Sequence, residues 1–152
     1  WTMMAKTEVL QALSRDHPLY DDVLEVFQSH ARALADVQAE DGRWHQVLDK
    51  PETYLETSAT AMFVRAFADG VRLGWLPEAP FRAAAERGWN ALARQVRDDG
   101  QVEGIVRGTP IMFSDQQYDE HPTRLNDPRG LGAVLFAAVA MERLHQDLAH
   151  NP

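Results

Sequence analysis

DGRWHQVLDKPETYLETSATA, residues 41–61, is the stretch around which the rest of the chain is organised. Asp41-Gly42 is a turn signal that closes the helical pattern before it. Trp44, His45 and Gln46 follow as a short extended run, Lys50-Pro51 breaks it, and Glu56, Thr57 and Ser58 re-enter a helix. Thr57 or Ser58 is the expected N-cap, because a hydroxyl there accepts from the first unsatisfied backbone N–H groups. An aromatic face, an imidazole, an amide, a carboxylate and two hydroxyls lie within fifteen residues. That is more polar reach than a connector needs, and loops on rigid helical scaffolds are where binding residues concentrate.

Outward from this stretch the chain reads as helices. Residues 20–39 carry Val23, Phe27, Ala31, Leu34 and Val37 at spacings of four and three, with Asp21 and Asp22 at the positive end of the dipole. Residues 57–73 are apolar almost all round and are expected to be deeply buried. Residues 81–96 form another amphipathic helix, residues 1–14 the tail of one, and residues 131–148 the last. Between the last two helical patterns, residues 101–107 alternate weakly like a hairpin arm. Residues 109–128 read as a long irregular loop, a length that in compact domains is usually functional.

A repeat ties these elements together. Leu34-Ala35 precedes Asp41-Gly42 by seven residues, Leu92-Ala93 precedes Asp99-Gly100 by the same seven, and the copies lie 58 residues apart. Each copy is a helix, a DG turn, an extended segment and a return to helix. The repeating unit is therefore a helical hairpin, and such units stack or close into rings. The expected architecture is all-α: five helices in antiparallel hairpins, residues 1–152 as one domain.

Composition bounds the partners. With 152 residues, a formal charge of −8 and a pI near 5.1, the chain lacks the basic surface that nucleic acid or an anionic membrane requires. An anionic ligand must then be held by a few local cations. There is no cysteine, hence no disulfide framework, which favours the cytoplasm. The longest uncharged apolar run, residues 130–141, is too short for a bilayer. The chain opens on Trp1, not on a translation start, so a preceding portion is expected.

The candidate site residues each have a bland reading beside a functional one. Trp44 is either a plug between helices or, beside polar His45 and Gln46, a stacking face for a sugar ring. His45 has no second His, Cys or carboxylate at ligand spacing, so neither metal nor cofactor is expected. Glu56 with Asp49 would be a paired-carboxylate site only at a defined separation, which the sequence does not fix. Asn126-Asp127-Pro128, ahead of the last helix, is a cap and turn that also suits anion or hydroxyl binding.

Five segments taken together resemble one family. They are W-T-M-M-A at the start, G-R-W-H-Q-V-L-D, Y-L-E-T-S-A-T-A-M-F, G-V-R-L-G-W-L and N-D-P-R-G-L-G-A. The chain is similar to the C-terminal part of glycoside hydrolase family 105, the unsaturated rhamnogalacturonyl hydrolases, with the unsaturated glucuronyl hydrolases as the nearest relatives. The resemblance implies helical hairpins forming part of an (α/α)6 barrel. It also implies removal of terminal 4,5-unsaturated uronic acid from lyase-generated oligosaccharides by hydration of a vinyl ether. The family's catalytic aspartate, its partner aspartate, a histidine and the uronate-binding arginine correspond to positions upstream of Trp1. No Asp of this chain inherits that role. What carries over is supportive: Trp1 and Trp44 to Gln46 as pocket wall, Glu56 to Ser58 with Asn126 and Asp127 behind it.

An alternative class is a non-catalytic helical-hairpin module that binds carbohydrate or protein. In either class, Met3, Met4, Leu10 and Leu13 of the first helix and one face of the last are expected to lack neighbours. Pairing with itself, or with a chain carrying further helices, would cover them.

Overall fold

Apolar residues at helical spacing set the elements, and the turns between them decide which faces meet. The computed structural model describes residues 1–150, and the side chains of residues 1–147. Along the chain run α1 (Thr2–Ala12), α2 (Tyr20–Asp36), β1 (Trp44–His45), β2 (Leu55–Glu56), α3 (Thr57–Arg72) and α4 (Glu78–Ala93). They are followed by β3 (Ile105–Val106), α5 (Asp115–Asp119), β4 (Thr123–Arg124) and α6 (Pro128–His150). The two strand pairs are antiparallel and only two residues long, β1 with β2 and β3 with β4.

Helix α3 is the centre. From Thr60 to Gly70 every residue is buried, as its apolar circumference requires. It packs most extensively on α6, then on α4 and α1, so α1, α3 and α6 form a row with α2 and α4 laid against it. Buried positions on the flanking helices keep to one side: Met3, Thr7 and Leu10 on α1, Phe27, Ala31 and Leu34 on α2, and Ala137, Met141 and Leu144 on α6.

The 58-residue repeat is present down to its hydrogen bonds. Ala39 N–H donates to Arg43 O at 2.9 Å and Arg97 N–H to Gln101 O at 2.8 Å. Gly42 N–H donates to Ala39 O and Gly100 N–H to Arg97 O, each at 2.9 Å. Asp41 Oδ1 accepts from Arg43 N–H, and Asp99 Oδ1 from Gln101 N–H. Both glycines have positive φ, +100° and +80°, which is why a side-chain-free residue stands there. Trp44 and Val102, the first apolar residues after each turn, are both buried.

The chain departs from its sequence reading in four places. The segment 109–128 is not one irregular loop: it holds the short helix α5 and the strand β4, whose pairing with β3 closes a second hairpin. With α5, the described residues hold six helices instead of five. The N-cap of α3 is Glu56, not Thr57 or Ser58, because a carboxylate one residue earlier reaches the same backbone N–H groups. On α1, Met3 and Leu10 are covered by α2 and α3. The exposed large apolar residues around α1 and α2 are Trp1, Val9, Leu19 and Val26, while α6 leaves Leu135, Phe136 and Val139 open.

Charge is also buried at the centre. Arg65 of α3 pairs with Glu8 of α1 and with Asp69, and its guanidinium lies 4.6 Å from the centroid of the Phe136 ring on α6. Asp69 also accepts from Arg72 at 3.3 Å. One ion-paired arginine thus touches all three helices of the row.

Candidate functional site

The β1–β2 hairpin delivers Trp44 into the core and Glu56 to the start of α3, because the two residues are register partners. Trp44 is fully buried. Its indole N–H donates to Leu34 O at 2.7 Å, and its ring meets the edges of Phe63 and Phe67 with centroids 5.3 and 5.8 Å away. The expected sugar-stacking face is therefore corrected. With no exposed surface and with Phe63, Phe67 and the carbonyl of Leu34 against it, this indole has no face left for a ligand.

His45 donates Nδ1–H to Thr53 O at 2.6 Å, and the Gln46 backbone N–H donates to Tyr54 O at 2.8 Å. Both bonds span the loop of their own hairpin. Glu56 is buried with its carboxylate enclosed by donors. It accepts from Ser58 N–H at 2.9 Å, from Ala59 N–H, from Ser58 Oγ–H and, across the second hairpin, from Val106 N–H at 2.9 Å. One side chain thus caps α3 and fastens β3 to it.

The start of α6 is built in the same manner. Asn126, at φ +52°, accepts from Val102 N–H through Oδ1 at 2.7 Å and donates its own N–H to Val102 O at 2.9 Å. Asp127 is fully buried. Its Oδ1 accepts from Arg129 N–H at 3.0 Å, and its carbonyl accepts from Gly130 and Leu131. At Gly130 a Cβ would run into Ile105 and Ser58, so the absence of one lets the first turn of α6 close on that of α3.

Between these two helix starts lies a cleft of about 520 Å³, lined by Trp1, Ser58, Val106, Gly108, Thr109, Pro110 and Arg129. The structure thus brings Trp1 and Ser58 to one surface, with Glu56 and Asp127 buried as supports at the two helix starts and Asn126 exposed beside them. Trp44, His45 and Gln46 do not line it. Arg129 belongs to the cleft and was not singled out from sequence, although it stands in the N-D-P-R-G-L-G-A segment. The requirement for a local cation on an acidic chain was the signal that could have found it. The backbone behind Gly108 is fixed by His121, whose Nε2–H donates to Arg107 O at 2.8 Å.

Tyr54 adds a buried polar group. Its hydroxyl is buried without a partner, and its backbone N–H donates to Asp119 Oδ1 at 3.1 Å. Burial first, then the charges of Glu56 and Asp119, push its phenol up to about 12. Among the described residues no group of three or more His, Cys, Asp or Glu is placed to hold a metal ion. A second groove of about 460 Å³, between α1 and α2, is walled by Ala5, Val9, Leu19, Val23 and Val26. It offers packing surface, not polar recognition.

The model of Glycosyl Hydrolase Family 88 matches residues 1–145. The chain belongs to that family. It is 31% identical over 147 residues to an unsaturated 3S-rhamnoglycuronyl hydrolase of Alteromonas sp. (strain LOR), covering 93% of this chain and 33% of the relative. It is 27% identical to the unsaturated rhamnogalacturonyl hydrolase YesR of Bacillus subtilis, covering 96% and 42%. Among solved structures, a family 105 glycoside hydrolase from C. acetobutylicum superposes with a TM-score of 0.86 at 29% identity, over 93% of this chain and 43% of its own. A possible family 105 member from Salmonella enterica superposes with the same score at 25% identity, over 96% and 38%. This family 88 chain spans about a third to two-fifths of the length of these proteins. Its helical hairpins form part of an (α/α)6 barrel.

Proposed function

We propose that the whole protein removes terminal 4,5-unsaturated uronic acid from lyase-generated oligosaccharides, and that this stretch supplies one wall of its saccharide cleft. The observation that carries the reading is the family match over residues 1–145, joined to relatives named as unsaturated uronyl hydrolases. The cleft supports it: an exposed indole at Trp1, a hydroxyl at Ser58 and a cation at Arg129 suit a sugar acid. In this reading the chain's role is support and recognition. The vinyl-ether hydration needs an acid that reaches the double bond. Glu56 is enclosed by four donor groups and Asp127 is sealed under α6, so neither carboxyl reaches a substrate. That same enclosure favours the second reading for the 152 residues alone: a carbohydrate- or protein-binding hairpin module. A cytoplasmic location, and self-association or a chain carrying further helices as partner, complete the proposal.

The test compares the product of the complete coding sequence with the 152-residue chain on unsaturated uronyl disaccharides, following the ultraviolet absorbance of the double bond. We expect the complete protein to remove it and the shorter chain to leave it intact over hours. Activity of the 152 residues alone would overturn the division of roles, and inactivity of the complete protein would overturn the function.

A further inference from the structure

We propose that Asp99-Gly100 is a modification site at which the backbone isomerises spontaneously through a cyclic imide, and that tertiary packing protects its twin, Asp41-Gly42, from the same reaction. The chemistry is intramolecular. The Gly100 nitrogen bonds to Asp99 Cγ, and one carboxyl oxygen leaves as water with the carboxyl proton and the amide proton. Water then opens the imide. Opening at the side-chain carbonyl restores aspartate. Opening at the main-chain carbonyl leaves the chain running through Cβ and Cγ, with the α-carboxylate free. One water is released and one is taken up, so mass and oxidation state are unchanged. Glycine as the following residue has no Cβ to obstruct the attack.

Local geometry does not separate the two turns. Gly42 N–H donates to Ala39 O and Gly100 N–H to Arg97 O, and each Asp Oδ1 accepts from the backbone N–H two residues on. Their surroundings do separate them. Cyclisation requires the turn to open, the glycine N–H to leave its acceptor and the carboxyl to swing onto the nitrogen. At Asp41 the carboxylate is held by Arg43, through Nε and Nη2 at 2.8 Å each. Arg94 donates to Asp41 O at 3.3 Å, Gln38 donates to Gly42 O at 2.7 Å, and Gly42 is buried against the Arg87 carbonyl of α4. At Asp99 the carboxylate accepts from the N–H and Nε2–H of Gln101, both at 3.0 Å and both within the turn itself. Asp99 and Gly100 are exposed, and a Cβ at Gly100 would meet nothing within 4 Å. A segment with few packed contacts opens at lower cost than one locked to a neighbouring helix. An isoaspartate here lengthens the backbone three residues before Val102, whose N–H and C=O clamp Asn126 ahead of α6. The altered linkage loosens that clamp, at the helix start that borders the cleft.

The experiment is a peptide map of the folded product of the complete coding sequence after weeks at physiological temperature and pH, with a parallel sample in guanidinium chloride. The probes are an isoaspartyl carboxyl methyltransferase and a protease that cuts before aspartate but not before isoaspartate. In the folded protein we expect isoaspartate at Asp99 to form roughly tenfold or more faster than at Asp41, the ratio produced when opening the packed turn costs about 1.4 kcal/mol more. In guanidinium chloride the two should react alike. Equal rates in the folded protein overturn the protection by packing, and so does a difference that persists in the unfolded sample. A folded protein that stays intact at Asp99 while the unfolded sample isomerises overturns the site. Conversion at Asp99 should also speed hydrogen exchange of the Val102 and Asn126 N–H groups, and unchanged exchange in the converted protein overturns the link to α6.

Discussion

Trp44 shows at the residue scale how burial decides between two chemically sensible readings. An indole beside His45 and Gln46 suits a sugar, but the hairpin register turns it inward, where Leu34 O satisfies its N–H. Trp44→Ala should therefore cost about 3–5 kcal/mol of stability, the usual range for a large aromatic removed from a core. Chemical denaturation measures it, and a loss under 1 kcal/mol would mean the indole is not the plug described. Tyr54 carries a pH dependence. Its phenol titrates at about 12 when folded, against the ordinary 10.0. Between those values the unfolded chain gives up a proton that the folded chain keeps, so stability falls as pH rises from about 10 to about 12. Tyr54→Phe should flatten that part of the stability curve, and at neutral pH it should be neutral or stabilising, since it removes a buried hydroxyl with no partner. Thermal melts from pH 9 upward would show an unchanged alkaline slope if Tyr54 is not the group responsible.

At the scale of the element, the two DG turns share one backbone but not one environment. A Cβ at Gly42 would overlap the carbonyl of Arg87 on α4, while a Cβ at Gly100 meets nothing within 4 Å. Gly100→Ala should then cost only the left-handed backbone strain, roughly 1–2 kcal/mol. Gly42→Ala should cost clearly more, because α4 must move away from the turn. Equal losses in paired urea titrations would show that the packing against α4 carries no weight.

For the whole molecule, the question is what covers its apolar flanks. Leu135, Phe136 and Val139 on α6, and Val9, Leu19 and Val26 beside the α1–α2 groove, leave two separate apolar surfaces in the open. Burying one large apolar side chain is worth roughly 1.5–3 kcal/mol, and patches of this kind mark protein contacts. The 152-residue chain should therefore self-associate at micromolar concentration. Sedimentation equilibrium reads it directly, and a 17.1 kDa monomer with a cooperative melt would count against it.

The local pattern was enough for the five longer helices, the two DG turns and the family, but not for the short α5. Spacings of three and four, DG dipeptides with a fixed offset and five ordered segments are properties of neighbours along the chain, and they survive without knowledge of the fold. The same holds for Asp127 as a cap, since a cap acts on its own helix. Tertiary structure alone decided which face each residue shows and what lies across from it. Glu56 became a clasp because β3, fifty residues away, brings Val106 N–H to its carboxylate. Arg129 became a cleft residue because Gly130 beside it lets two helix starts close together. Trp44 was lost to the core by its register with Glu56. Long-range approach depends on the volume of every side chain between the partners, and no single stretch of sequence contains that sum.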